Sequence, residues 1–338
     1  MRNRIRIEDV AQIAGVSTAT VSRALSQPER VRQDTRELVQ RAVEKLGYVP
    51  DAAGRALASG CTRTVGCVIP TLDHAIFARS THALQIALAR AGYQLLVASH
   101  NYDPVQELAL VQALQQRGVD ALVLVGAEHH KQLWKSLTEW RNPVLLTWAC
   151  DPRLPSVGFD NHAIGALATQ HLLDLGHRCI GMISGYTEHN DRAKSRVAGL
   201  RDTLAKAGLT LASDQLSEQA LNISGGRLGL TALRKAKNPP TAIVCGNDLL
   251  ATGALLEAQR QGLNVPNDLS ICGIDNHELA AEVNPGLTTV NLPTQDLGRI
   301  AATQILASLT GEPIAQQSLL PFELLVRGTT SALQNSRA

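Results

Sequence analysis

The sequence predicts an α/β chain in two parts: a small helical head with a hinge helix, then two doubly wound α/β subdomains. Three observations carry this. Within the first 46 residues, three short stretches carry apolar residues at helical spacing. From Thr64 onward, short apolar runs alternate with helical stretches. That alternation occurs in two successive series, the second starting near Asn161. A length of 338 residues suits two or three domains, and 44% hydrophobic residues suffice for sizeable cores.

The head is read from IEDVAQIAGVSTATVSRAL, residues 7–25. Val10, Ala11 and Ala14 recur at helical spacing, Gly15-Val16-Ser17 interrupts, and Val21, Ala24 and Leu25 resume. Two short helices around a tight glycine turn make a helix-turn-helix. Gly15 suits the left-handed exit of the first helix, and Ser17 suits the N-cap of the second. The outer face of the second helix carries Thr18, Ala19, Ser22 and Arg23, small groups plus one forked donor, which suits a DNA major groove. A third helix is expected over 34–46, started by Asp34 with Glu37 and stopped by Gly47. Its apolar face is Leu38, Val39, Ala42, Val43 and Leu46. After Pro50, DAAGRALAS (51–59) reads as a nine-residue helix that is marginal alone in water.

In the body, TVGCVIP, QLLVAS, DALVLVG and PVLLTWA read as strands, with helices over 74–91, 104–117 and 129–140 between them. The second series runs helix to Gly176, strand CIGMIS, helix 191–207, strand 209–211, helix 224–236, strand TAIVCG, helix 248–262 and strand LSICGID. A helix over 294–310 and a last strand over 323–326 complete the halves. Ligands of such sheets sit at the carboxyl ends of the strands.

Composition limits the function classes. Residues 1–60 hold ten Lys/Arg against seven Asp/Glu, and the remainder 22 against 23, so a basic head sits on a near-neutral body. No apolar run reaches the roughly 18 residues of a membrane span. The charged opening MRNRIRIEDV leads into no hydrophobic signal segment, so a cytoplasmic protein is expected. Six scattered cysteines without a C-x-x-C read as buried thiols rather than disulfides or a zinc site, Cys67, Cys179, Cys245 and Cys272 lying in strand-like runs. There is no G-x-S-x-G, Walker loop, H-E-x-x-H or G-x-G-x-x-G after the first body strand, so no enzyme, cofactor or metal is expected. His129-His130 reads as a solvated pair on a helix.

The stretch DVAQIAGVSTATVSRAL, followed by GYVPDAAGRALASG, resembles the DNA-reading segment of the lactose-repressor (LacI/GalR) family. The resemblance covers nearly the whole chain, strongly to about Gly66. It implies a helix-turn-helix domain at 1–50, a hinge helix at 51–60, a two-lobed effector-binding and dimerisation domain of periplasmic-binding-protein type at 61–330, and a tail at 331–338. The lobes would span 61–160 plus 293–320, and 161–292 plus 321–330. It implies a repressor that binds a palindromic double-stranded operator as a homodimer. Ser17, Thr18, Ala19, Thr20, Ser22 and Arg23 would face DNA. Arg32 stands where the family often has a phosphate-touching serine. In the hinge, Arg55 would touch DNA and Leu57 would wedge into the minor groove. Arg196, the Asn247-Asp248 pair and Asp275 match the family's effector residues, with Thr71, His74, Phe77 and Asp160 as further wall. IPTLDHAIFAR and SHNYDPVQE look closest to gluconate-operon repressors, which suggests a sugar acid, its carboxylate neutralised by Arg79, Lys194 or Arg196. The alternative, a sugar-binding or sugar-converting cytoplasmic α/β protein without DNA binding, lacks both a secretory signal and a catalytic constellation.

Overall fold

The computed structural model describes residues 5–49 and 60–333. The chain forms two compact units, divided between Arg63 and Thr64.

The head is three helices: α1 (Ile7–Ala14), α2 (Thr18–Ser26) and α3 (Gln33–Leu46). Val10, Ala14, Val21, Ala24, Val39 and Ala42 meet in its core. Gly15 ends α1 with φ 67°, a conformation that costs a residue with a Cβ about 1–2 kcal/mol. Ser17 caps α2 by accepting the Thr20 N–H at 3.2 Å. Two expectations for α3 fail. Its N-cap is Arg32, without a side-chain cap bond, so Asp34 lies inside the first turn. Leu38 is exposed, because the packed stripe runs through Val39, Ala42, Val43 and Leu46 instead. The hinge stretch, with Arg55 and Leu57, lies outside the described residues.

The body has two six-stranded sheets. The first contains β1 (Thr64–Ile69), β2 (Gln94–Ser99), β3 (Ala121–Val125), β4 (Val144–Trp148), β5 (Ser156–Gly158) and β11 (Gln317–Leu319), in the order β11-β5-β4-β3-β1-β2. The second contains β6 (Ile180–Gly185), β7 (Leu216–Gln219), β8 (Ala242–Cys245), β9 (Ser270–Asp275), β10 (Thr288–Asn291) and β12 (Glu323–Leu325), in the order β12-β10-β9-β8-β6-β7. All neighbours are parallel except β10 with β12. The strand expected over 209–211 is absent. Leu209 and Leu211 pack onto the core from a loop, and the strand follows at β7.

Helices α4 (Ala75–Arg90), α5 (Pro104–Gln116), α6 (Lys131–Glu139) and α12 (Thr294–Leu309) belong with the first sheet. Helices α7 (Asn161–Asp174), α8 (Asp191–Lys206), α9 (Ile223–Leu233), α10 (Asp248–Arg260) and the short α11 (Leu279–Glu282) belong with the second. The chain passes between the lobes three times, after β5, β10 and β11. Helices α7 and α8 approach closely: a Cβ on Gly165 would lie 2.1 Å from the Arg196 carbonyl oxygen, and one on Gly199 2.0 Å from that of His162. Glycine permits this contact, which fixes where α8 holds its side chains. Cys67, Cys245 and Cys272 are buried in strands, whereas Cys179 is half-buried just before β6. No helix among the described residues is long and apolar enough to cross a membrane.

Candidate functional site

The head presents one exposed helix face. Ser17, Thr18, Ala19, Ser22 and Arg23 are exposed on or beside α2, and Arg32 is exposed at the start of α3. Thr20 is half-buried, its Oγ1 2.9 Å from Ser17 Oγ, so it takes part in the cap. Val21 and Ala24 turn inward, which leaves the polar face of α2 free for a groove.

In the body, strand order reverses where β1 lies between β2 and β3, and again where β6 lies between β7 and β8. Loops part at such points and leave a crevice beyond the carboxyl ends. Here it is a narrow cleft open to solvent, walled from the first lobe by His74, Ile76, Phe77, Tyr102 and Trp148. The second lobe contributes Asn190, Arg192, Arg196, Leu221 and Asn247, with Gly185 and Gly246 at strand ends. An outer chamber shares His74, Tyr102, Asn190 and Leu221 with it and adds Thr71, Asn101, Tyr186 and Asn222.

Arg196 is held by two hydrogen bonds. Its Nε donates to Asn161 Oδ1 at 3.0 Å and its Nη1 to the Gly246 carbonyl at 2.7 Å. Asn161 in turn donates to the Trp148 carbonyl at 3.0 Å. One guanidinium is thereby tied to a strand end of its own lobe and, through Asn161, to the other. Trp148, with φ 71°, packs its ring edge-on against Phe77 at 5.1 Å and Phe159 at 5.9 Å. Burial pushes the His74 imidazole below its usual range, which favours the neutral form. Asn247 caps α10, its Oδ1 accepting the Leu250 N–H at 2.9 Å, and still faces the cavity.

Three carboxylates assigned to the effector lie off the cavity wall. Asp160 is exposed and caps α7 by accepting the Ala163 N–H at 2.9 Å. Its neighbour Asn161 is the one that bonds Arg196. Asp248 is buried and committed internally: it accepts the His277 N–H at 2.6 Å and the Thr289 hydroxyl at 2.6 Å. Burial, reinforced by the charge of Asp275, pushes its carboxyl up to about 8. Asp275 stands beside Arg196, its Oδ1 3.9 Å from Nη1 and without a hydrogen-bond partner. Burial pushes it up to about 7, and the Arg196 charge opposes that only in part. Neither acid lines the cavity.

Arg192, which the sequence analysis did not single out, is buried and lines the cavity. Its Nη1 donates to Asp191 Oδ1 at 2.7 Å, and Asp191 Oδ2 accepts the Ala127 N–H of the first lobe at 2.7 Å. Arg79 and Lys194 are elsewhere. Arg79 pairs with Glu278 at 3.5 Å, and Lys194 is exposed. His129 is not solvated. Its side chain is buried beside Trp134, with Nδ1 2.9 Å from Glu107, while His130 caps α6. Among the described residues, no group of three His, Cys, Asp or Glu side chains is arranged to hold a metal ion. Trp148, Asn161 and Arg192 are the site residues sequence reasoning missed. The four-residue spacing of Arg192 and Arg196, which puts both on one helix face, was the available signal for the last.

Comparison with known proteins agrees with this division of labour. The model of the bacterial regulatory proteins, lacI family, matches residues 6–51, and that of a periplasmic binding protein-like domain matches residues 169–330. The HTH-type transcriptional repressor CytR of Escherichia coli (strain K12) is 33% identical over 332 residues, covering 97% of this chain and 96% of that protein. The solved Lac repressor dimer bound to operator and the anti-inducer ONPF superposes with a TM-score of 0.87 at 25% identity, covering 98% of this chain and 100% of that one. A transcriptional regulator CelR–cellobiose complex superposes with a TM-score of 0.71 at 28% identity, covering 96% and 100%. Relatives of this kind are regulators, so the alternative of a sugar-converting protein without DNA binding falls away. The chain belongs to the lacI family of bacterial regulatory proteins, as a DNA-binding repressor with an effector-binding domain.

Proposed function

We propose that the effector of this repressor is a small sugar or sugar acid, gluconate-like in size and charge, bound between the two lobes. The observation that carries this is the cavity wall: hydrogen-bonding groups from Asn190, Arg196 and Asn247 oppose the rings of Phe77 and Trp148. A sugar offers hydroxyls to the first set and a C–H face to the second. Arg196 offers a fork to a carboxylate. Thr71 and His74 extend the wall outward, and Asp275 steadies Arg196. A structural relative, CelR, is solved in complex with the sugar cellobiose, which supports a sugar as ligand.

The repressor acts as a homodimer on a palindromic operator, as the Lac repressor structure suggests. Exposed Leu96 and Val97 on β2, and Leu228 and Leu256 on α9 and α10, offer apolar surface for a second copy. Thr18, Ala19, Ser22 and Arg23 read bases, Ser17 and Thr20 set the start of the reading helix, and Arg32 binds phosphate. Arg55 and Leu57 in the hinge complete the contact. Effector binding changes the relation of the lobes and so operator affinity, which needs a differential affinity of a few kcal/mol between two states. A gel shift on the DNA upstream of the gene, with D-gluconate, 2-ketogluconate and neutral sugars added in turn, tests the reading. One of the acids should change the shift. A response to a neutral sugar alone refutes the acid.

A further inference from the structure

Two guanidinium groups face the cavity, but the reading above uses only Arg196. Arg192 lies one turn earlier on α8, only 7% exposed. Its Nη1 presses on the first lobe so closely that a Cβ on Gly126 would lie 2.2 Å away. Its charge also acts on the half-buried Tyr102 phenol across the cleft. Among the described residues that line the inner cavity, none is acidic, and the acid of the outer chamber, Glu188, is exposed to solvent. The nearest carboxylate to Arg192 is Asp191, which divides its two oxygens between that guanidinium and the Ala127 N–H. Arg196 makes no hydrogen bond to Asp275 across 3.9 Å. Arginine does not shed its proton when buried. The wall therefore carries two fixed cations with incomplete compensation, a costly arrangement unless an anion arrives from outside.

We propose that Arg192 makes the cleft selective for ligands bearing an anionic group, carboxylate or phosphate monoester, and that the Asp191–Arg192 pair ties capture of that group to the contact with Gly126 and Ala127. The inference rests on the cleft being the effector site. A bound anion competes with Asp191 for the Arg192 fork, and Asp191 holds the other lobe through its second oxygen. Charge recognition and lobe contact thus share one ion pair.

The test is calorimetry on the full chain with matched pairs: D-gluconate with D-glucitol, and D-glucose 6-phosphate with D-glucose. Wild type should bind one acid at least tenfold more tightly than its neutral partner, and which acid does so separates carboxylate from phosphate. Arg192→Gln should erase that preference, and Arg192→Lys should keep much of it, with ligand-free melts showing that both variants are folded. Asn247→Ser, which keeps a helix cap but removes the amide, should weaken both members of the preferred pair. An intact acid preference in Arg192→Gln, with weakened binding in Asn247→Ser, overturns the role of Arg192 and leaves the cleft reading standing. Unchanged binding in both variants overturns the cleft reading itself. Wild type that binds no acid, or binds the neutral partner as well, overturns the selectivity.

Discussion

Gly126→Ala should damage the body more than a single methyl suggests. Gly126 has φ 92°, and its Cβ would lie 2.2 Å from Arg192 Nη1 and 3.0 Å from Asp191 Oδ1. Two costs follow. The backbone conformation disfavours a side chain by about 1–3 kcal/mol. The methyl must also displace the guanidinium, weakening the 2.7 Å bond from Arg192 to Asp191. Hydrogen bonds to charged groups contribute about 1.5–3 kcal/mol, and partial exposure of Asp191 brings this nearer 1 kcal/mol. A total of about 2–4 kcal/mol corresponds to a fall in melting temperature of very roughly 5–10 °C for a unit of this size. Thermal or urea unfolding of wild type, G126A, R192A and the double variant forms the assay. With Arg192 truncated, only the backbone cost remains, so the penalty of G126A should shrink by about 1 kcal/mol. Equal penalties in both backgrounds would falsify the contact between this loop and α8.

Ser17→Ala removes the cap bond to Thr20 and should destabilise α2 by about 1 kcal/mol, seen as faster amide exchange in the head and weaker operator binding; Ser17→Asp should restore the slow exchange but not operator binding, because its charge faces the phosphates. Leu57→Ala should weaken operator binding at least tenfold and spare effector affinity, and wild-type affinity for operator in that variant removes the wedge. Asp275 and Asp248 are raised to about 7 and about 8, so the folded chain holds protons that the unfolded chain has released above about pH 4. Their contribution is therefore fullest below the unfolded value and is lost as pH rises toward 7–8, at up to about 1.4 kcal/mol per pH unit for each group. Unfolding free energy should decline between pH 5 and 8, and Asp275→Asn should flatten the decline; an equal slope in the variant would show that Asp275 does not titrate in this range.

Much of the fold was legible because the driving patterns are local. The helix-turn-helix follows from apolar spacing around Gly15 and Ser17. The strands ending at Ile69, Val125 and Cys245 are continuous apolar runs, as strands covered on both faces must be. The strand β7 was misplaced because its sequence, LSEQ, is polar for an edge position, while the apolar Leu209 and Leu211 just before it pack from a loop. Strands β5 and β11, of three residues each, are too short to show a period. The site was less legible. Asp160 and Asp248 look like ligand-binding acids, but a carboxylate at a helix start is equally useful as a cap or an internal acceptor. Arg192 looks like solvated surface in DRAKSR, because only the fold brings Gly126 and Ala127 against it.

The three passages between lobes have a consequence for biosynthesis. Ser156 on β5 pairs with Gln317 on β11, and the first lobe also needs α12. A ribosome delivers the whole second lobe before it delivers those pieces. The first sheet must therefore wait, with β5 as an open edge able to pair with a neighbouring nascent chain. The second sheet is nearly complete by Asn291 and lacks only β12. Premature termination after Asn291 would thus leave a near-finished second lobe attached to an unfinished first one, the species most exposed to aggregation and to proteolysis in the cell.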